Sequence, residues 1–414
     1  MAHMNSFFDK HLGAYRKGHG CSQVLTYAVD TWKRALDNNK IVGTIMMDLS
    51  KAFDAVPHDL LVAKLSAYGF CESSCLFLLS YLKNRKQCVK MRDTKSSWLT
   101  LKRGIPQGSC LGPLLFNIFV NDLFLNVKNA TLLNYADDNT LSVCDANLDV
   151  VIELLKCDTV NTMKWFADNY MQANPDKFQV MFMKPSHSLV ALPAEFKIDD
   201  VCISTCDNVK LLGVLIDNNL NFDEHVKALC KKASKQLKVL FRFKSMMGTR
   251  EKETMYRTFI ISNFNFCPVV WNFCGKSSAR KIEKIQERAL RYMTGNLTMT
   301  YEQLLQHTGY KAMHLQRLKC IAIEVFKCVY NLNPTYMNDM FVVKDMPKAL
   351  RDPSILVIPR FNKVMYGRKT FSYYGAHLWN LLPNDFKSVV DFNCFKSLLS
   401  KWEGPKCQCN VCML

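Results

Sequence analysis

The order of elements predicts an α+β fold: a ferredoxin-like antiparallel sheet with helices on one face, followed by a mostly helical region. Three observations carry that expectation. Up to about residue 216, apolar runs and helical periodicities follow the order strand, helix, strand, strand, helix, strand. Beyond Asn221 the apolar residues recur at helical spacing instead. The chain has 414 residues, 49% hydrophobic and 22% charged, which is globular composition with length enough for two or three compact units.

The elements follow in order. Ser22 precedes Val24, Leu25, Ala28, Val29, Trp32, Ala35 and Leu36 at helical spacing, so a helix ending near Asn38-Asn39 is expected. Ile41 to Met47 reads as a buried strand. Asp59 to Tyr68 is a helix that Gly69 stops, and Cys75 to Leu82 is a second apolar helix. Gln87 to Met91 and Ser97 to Leu101 read as short strands facing a turn at Asp93. Gly104 to Ser109 is a loop, and an apolar helix runs from about Pro113 to Leu123. Two strands flank Asp138, and a helix covers Val150 to Asp168. Phe178 to Met183 and Val209 to Ile216 each read as one strand. Amphipathic helices are expected over His225 to Leu240 and Ala279 to Met293. Lys344 to Thr370 is loop-rich from its prolines, and Phe371 to Trp402 has the aromatic density of a small packed unit.

Charge narrows the partners. The net charge is +18, and the segment from His225 to Cys320 holds 19 Lys/Arg against 5 Asp/Glu. A merely solvated surface would spread that excess, whereas a concentrated one suits a polyanion such as nucleic acid. No secretion signal is readable in Met1 to Lys17, and the longest apolar stretch, Leu111 to Val127, is broken by Gly112, Pro113, Asn117, Asn121 and Asp122. The expectation is an intracellular protein, cytoplasmic or nuclear, with no membrane partner. Eighteen cysteines then imply reduced thiols. In the tail, Cys407, Cys409 and Cys412 lack a fourth ligand at finger-like spacing, so zinc is not expected there.

The chemistry concentrates in three carboxylates. Asp48 ends the Ile41 to Met47 run, and 89 residues later comes Tyr135-Ala136-Asp137-Asp138 between apolar flanks. Acids delivered by strands to one place can hold two hard divalent cations, the arrangement used for in-line phosphoryl transfer. Neighbours on a flat strand point to opposite faces, so Asp137 and Asp138 cooperate only if the hairpin turn falls at this point. On alternation alone Asp138 ranks below the other two. Each acid also has a plain alternative, capping or leaving its strand.

An ordered series surrounds these acids. Met46 to Asp54, Ile105-Pro106-Gln107-Gly108-Ser109, Tyr135 to Asp138, Asn174-Pro175-Asp176-Lys177 and Leu211-Leu212-Gly213 together resemble the palm motifs of reverse transcriptases. Asp48 to Leu61, Pro268 to Asn272 and Trp379 to Pro383 look most like polymerases of jockey-like non-LTR retrotransposons, and the likeness runs from about Gly13 to Trp402.

The resemblance implies a right-hand polymerase fold. It divides the chain into a remnant of fingers at 1–40, a palm at 41–222, a basic helical thumb at 223–300 and a mostly helical C-terminal region of unknown role at 301–414. The implied activity is RNA-directed DNA synthesis from dNTPs on an RNA template and DNA primer. Two magnesium ions, with manganese a possible substitute, would sit on Asp48, Asp137 and Asp138. It further implies that Phe53 stands against the sugar 2′ position, that Gln107, Gly108 and Tyr135 lie along substrate, and that Lys177 donates a proton near pyrophosphate. Leu212-Gly213 resembles a primer-grip turn, although as sequence it is only a strand containing glycine. Arg16, in a basic segment where Ala14-Tyr15 replaces the usual Gly-Phe, would contact phosphate; a flexible basic tail is the plain reading. Lys227, Lys231, Lys235, Lys238, Lys281, Lys284, Arg288 and Arg291 would follow the nucleic-acid backbone.

The family pattern is not matched throughout. Only 40 residues precede the Asp48 strand, no triphosphate-holding basic hairpin is readable among them, and neither an upstream endonuclease nor a downstream RNase H acidic series is seen. An N-terminally truncated element is the expectation. The alternative is an inactive or co-opted remnant that binds nucleic acid without synthesis. A third reading, an RNA-synthesising polymerase or a group II intron maturase, is opposed by Phe53 with YADD and by the C-terminal phrases.

Overall fold

The computed structural model describes residues 7–344 and 355–405. The chain forms two compact units. One comprises Met1–Gly20, Lys40–Met183 and His187–Asp207, and the other Cys21–Asn39, Lys184–Ser186 and Asn208–Leu414. The fifteen cysteines of the described residues are free thiols. Among the described residues no helix is long and apolar enough to cross a membrane. The Cys407, Cys409 and Cys412 tail lies outside the described residues.

The first unit is built on four antiparallel strands: β1 (Ile41–Met47), β2 (Thr131–Tyr135), β3 (Asp138–Asp145) and β4 (Gln179–Met183). Their spatial order is β4-β1-β3-β2, with the hairpin β2–β3 on one side of β1 and the last strand on the other. With a helical connection before and after the hairpin, this is the β-α-β-β-α-β arrangement expected from the element order. β1 is buried at all seven positions. The helix Leu148–Asp168 packs on it so closely that a Cβ at Gly43 would lie 2.6 Å from Val151 Cγ1 and 2.9 Å from Phe182 Cε1, which explains a glycine in mid-strand. That helix is capped by the Asn147 side chain, which accepts from the Asp149 amide. Its buried Asp158 accepts from the amides of Lys128, Asn129 and Ala130, fixing the loop that feeds β2.

Two differences from the expected elements stand out. Val209 to Ile216 is a hairpin rather than one strand: Asn208–Leu211 pairs with Val214–Asp217 across Leu212 (φ 44°) and Gly213 (φ 86°). Positive φ at both central residues is the turn whose twist matches a tight hairpin, and Gly213 supplies half of it without strain. A second hairpin, Glu195–Ile198 with Val201–Ser204, turns at Asp199-Asp200 and has no counterpart in the expected elements.

The second unit is helical beyond its hairpin. Helices Asp223–Arg242 and Lys276–Thr294 pack on each other, burying Val226, Ala233 and Leu237 from one and Ile282, Ile285 and Ala289 from the other. A separate aromatic core gathers Phe326, Phe371, Tyr374, Trp379 and Phe395. The helix Cys21–Asp37, expected with the segment ahead of the sheet, packs here on Pro268–Trp271 and Phe371–Leu381. Its buried polar groups explain why. Asp30 accepts from the amide and hydroxyl of Ser372, while Lys33 Nζ donates to the Lys369 carbonyl at 3.0 Å and stands 4.8 Å from the centre of the Phe273 ring. Burial pushes the Asp30 carboxyl up, and burial followed by the Lys369 charge pushes the Lys33 ammonium down to about 7.

Candidate active site

The acids meet where β1 and the β2–β3 hairpin end. In the β1–β3 ladder Met47 pairs with Asn139, so one step further Asp48 faces Asp138. The β2–β3 ladder closes at Tyr135 opposite Asp138, leaving Ala136-Asp137 as a two-residue turn. The turn thus falls where cooperation of the two acids requires it. Ala136 has φ 57°, a conformation that costs an alanine about 1–2 kcal/mol. Two buried asparagines hold it. Asn134 Nδ2 donates to the Ala136 carbonyl at 2.9 Å and to Asn139 Oδ1 at 2.9 Å, and Asn139 Nδ2 donates to the Asp137 carbonyl at 3.1 Å.

Asp138 feels the other two acids. Its carboxyl is pushed up to about 6, first by partial burial and then by the charges of Asp137 and Asp48. Proximity to both neighbours is the point, since sequence alternation alone would set Asp138 apart.

Asp48 is also tied to Lys177. The strand Leu49–Ser50 pairs with Gln172–Ala173, the Asn174 amide donates to the Asp48 carbonyl at 3.3 Å, and one turn of helix over Pro175–Lys177 brings Lys177 Nζ to 2.9 Å from Asp48 Oδ2. Among the described residues no group of three His, Cys, Asp or Glu is gathered closely enough to hold a metal ion as the side chains stand. The donor chemistry nevertheless fits a hard divalent cation: oxygen ligands only, from acids whose mutual repulsion a cation would relieve.

Phe53 lies in the short helix Ala52–Ala55 and is half-buried, stacked on Phe116 with ring centres 4.4 Å apart and planes at 12°. Tyr15 meets its other side edge-on at 6.1 Å. Phe53 is therefore a supported wall rather than a fully enclosed core ring. The Gly104 to Gly108 loop is zipped to this helix through Gly104 N to Val56 O at 2.8 Å and Ile105 N to Phe53 O at 2.9 Å. Gln107 Nε2 donates to Asp54 Oδ1 at 3.0 Å, and a Cβ at Gly108 (φ 81°) would meet nothing within 4 Å. That leaves the backbone there open to close approach.

The remaining residues divide. Tyr135 ends β2 beside the acids. Arg16 Nη1 donates to the carbonyls of Asp9 (2.6 Å) and Leu12 (2.8 Å), so its guanidinium straps the N-terminal segment to itself. That segment adds to the sheet edge, with Gly13 N on Asn134 O at 2.8 Å and the buried Asn117 Nδ2 on Ala14 O at 2.8 Å. It presents Tyr15, 54% exposed and at φ 58°, whose phenol is pushed up by burial and by the charge of Asp137. Sequence reading treated Tyr15 only as a departure from a motif; a bulky residue in the left-handed region is visible only in the backbone. Asn134 and Asn139 were also missed, because asparagine in a strand carries no periodic signal.

In the second unit, Leu212-Gly213 caps its hairpin, and a Cβ at Gly213 would lie 3.0 Å from Phe266 Cε1. Lys231, Lys235, Lys238, Lys281, Lys284 and Arg288 are exposed, Lys227 is exposed and paired with Glu224, and Arg291 is half-buried in an ion pair with Glu287 at 2.7 Å.

The family model for reverse transcriptase (RNA-dependent DNA polymerase) matches residues 1–216, more than half of the 414. The chain belongs to that family. Among its relatives are "Probable RNA-directed DNA polymerase from transposon BS" of Drosophila melanogaster, 27% identical over 74% of this chain and 36% of the relative, and "RNA-directed DNA polymerase from mobile element jockey" of Drosophila funebris, 26% identical over 68% of this chain and 31% of the relative. The likeness of the motifs to jockey-like reverse transcriptases is borne out by these matches. The chain spans about a third of the length of the curated relatives it matches. Among solved structures it is similar to apo telomerase from Candida tropicalis, at TM-score 0.37 and 11% identity over 76% of this chain and 53% of that one.

Proposed function

We propose that this chain carries out RNA-directed DNA synthesis, transferring a nucleotide from a dNTP to a primer 3′-hydroxyl on an RNA template. The observation that carries the reading is the Ala136-Asp137 turn, which sets Asp137 and Asp138 beside the end of β1 so that Asp138 feels the charge of both other acids. Asp48, Asp137 and Asp138 would hold two divalent ions, magnesium or manganese, which when bound lower the pKa of the primer hydroxyl and neutralise the triphosphate. The Phe53 ring, backed by Phe116, excludes a 2′-hydroxyl and so selects deoxynucleotides. Gly108 lets the backbone approach a base or sugar, with Gln107 and Tyr135 alongside. Lys177, an ammonium on a short helical turn, supplies a proton to the departing pyrophosphate.

In this reading residues 41–222 act as palm, 223–300 as thumb and 1–40 as the remainder of the fingers, and the role of 301–414 stays open. The exposed Lys231, Lys235, Lys238, Lys281, Lys284 and Arg288, with Lys227 and Arg291 once released from their carboxylates, contact the phosphate backbone. Leu212-Gly213 positions the primer end, and Arg16 acts on phosphate only through the segment it straps. A second reading, a nucleic-acid-binding remnant without synthesis, is favoured by one observation: the Lys177 ammonium is already ion-paired with Asp48.

The test is incorporation of dTMP by the purified chain on oligo(dT)-primed poly(rA) with magnesium. The proposal expects extension that EDTA stops and that Phe53→Val opens to ribonucleotides by roughly tenfold or more, the size of a lost steric contact. Binding of the primed template without any incorporation would establish the remnant reading instead.

A further inference from the structure

A basic ribbon is formed by the short strands on either side of Asp93. Between Lys83 and Arg103 the chain holds eight Lys/Arg and a single acid, Asp93. It forms two short ladders, Lys86–Gln87 with Leu99–Thr100 and Lys90–Met91 with Thr94–Lys95, and every paired residue is exposed. The base is fixed. Leu101 N donates to Arg85 O at 2.8 Å, the Arg85 guanidinium donates to the carbonyls of Leu82 and Gly104, and Arg103 bridges to Pro57. The ribbon therefore leaves the fold beside the loop that carries Gln107 and Gly108.

Three features of the ribbon make little sense for a solvated hairpin. Lys90 is paired directly opposite Lys95, an arrangement that like charges disfavour. Lys86, in the first ladder, lies four residues before Lys90 in the second. Lys86, Lys90, Arg92, Lys95 and Lys102 make no ion pair among the described residues. Between the ladders, Cys88 and Val89 oppose three residues, Ser96, Ser97 and Trp98, so the second strand carries a bulge. Bulges re-aim side chains, and this one holds Trp98 at 63% exposure, with Val89 at 67% and Met91 at 75%. Lysines on an edge strand do guard against aggregation, but that purpose is defeated by an exposed tryptophan between them.

We propose that the ribbon Lys83–Arg103 is a binding site for single-stranded nucleic acid, with Lys86, Lys90 and Lys95 on phosphates and Trp98 stacked on an unpaired base. Lysine on phosphate with an aromatic platform is the chemistry of single-strand binding and needs no sequence. Identification of that strand as the incoming template rests on the polymerase reading and on the ribbon's attachment to the Gln107-Gly108 loop; the binding itself does not.

The test uses the full chain and fluorescein-labelled 20-nucleotide oligouridylate, with affinity measured across a potassium chloride series. Lys90→Ser/Lys95→Ser is expected to weaken binding about tenfold and to make the log–log salt slope shallower by about 1.4, two phosphate contacts on a single strand. Trp98→Ala is expected to weaken it about fivefold or more with the slope unchanged. Both variants, altered only at exposed positions, keep wild-type affinity for a blunt RNA–DNA duplex. Unchanged oligouridylate binding in both variants, an equal loss on the blunt duplex, or no binding by the wild-type chain would each overturn the proposal. A wild-type chain that binds oligouridylate through the ribbon but never extends a primer would sink only the polymerase reading.

Discussion

Among the described residues four tight hairpins turn in two residues with positive φ at the first, and two of them solve the same steric problem by different means. At Leu212-Gly213 the second residue is glycine, also at positive φ, and Phe266 lies against it. At Ala136-Asp137 there is no glycine, and the turn is held by side-chain hydrogen bonds, Asn134 donating to the carbonyl of Ala136 (φ 57°) and Asn139 to that of Asp137. Glycine relieves one position of the first turn, while Leu212 at φ 44° carries the same left-handed cost as Ala136. The turn held by two buried asparagines is strained and rigid, and it places two carboxylates where a glycine turn would let them wander.

That contrast can be broken at several points. Asn139→Leu leaves the Asp137 carbonyl and one Asn134 donor without their partner and is expected to cost the β2–β3 hairpin about 2–3 kcal/mol, read by hydrogen exchange at the Thr140 amide. Gly213→Val forces a branched side chain to φ 86° against Phe266 and is expected to cost about 2 kcal/mol at the Val214 amide, with β3 exchange unchanged because a different hairpin is affected. Ala136→Gly removes the strain but adds backbone freedom, so stability is expected to shift by less than about 1 kcal/mol while nucleotide incorporation slows. Equal incorporation by that variant would show that the rigidity of the turn is incidental.

A pH dependence also distinguishes the turns. Asp138 holds its proton up to about 6 in the folded chain, against an ordinary 3.8. Between those values the folded state binds more protons than the unfolded one, so stability of the metal-free chain falls as pH rises from about 4 to 6. Asp138→Asn removes that fall, and carboxyl NMR should place the wild-type midpoint near 6. A midpoint near 4 would mean that the three acids do not share a neighbourhood.

Much of the sheet was legible. Ile41 to Met47 announces itself as an unbroken apolar run, and the Leu148–Asp168 helix by its periodicity. The acids were legible through residue type and order. Their cooperation was not, because it depends on a turn whose first residue is alanine, and alanine gives no turn signal. Val209 to Ile216 read as one strand since Leu212 is apolar and one glycine inside a strand is ambiguous. The placement of Cys21–Asp37 in the second unit depends on Asp30 and Lys33 finding Ser372, Lys369 and Phe273, more than 230 residues away in sequence, which no local pattern encodes.

The central claim is that the asparagine-held turn delivers carboxylates for nucleotidyl transfer, and single-turnover primer extension with magnesium on an RNA template tests it most directly. The wild-type chain is expected to extend the primer. Asp137→Asn, which keeps the size and backbone of the turn, is expected to bind the primed template as tightly and to incorporate nothing measurable. Extension by Asp137→Asn at the wild-type rate would contradict the account.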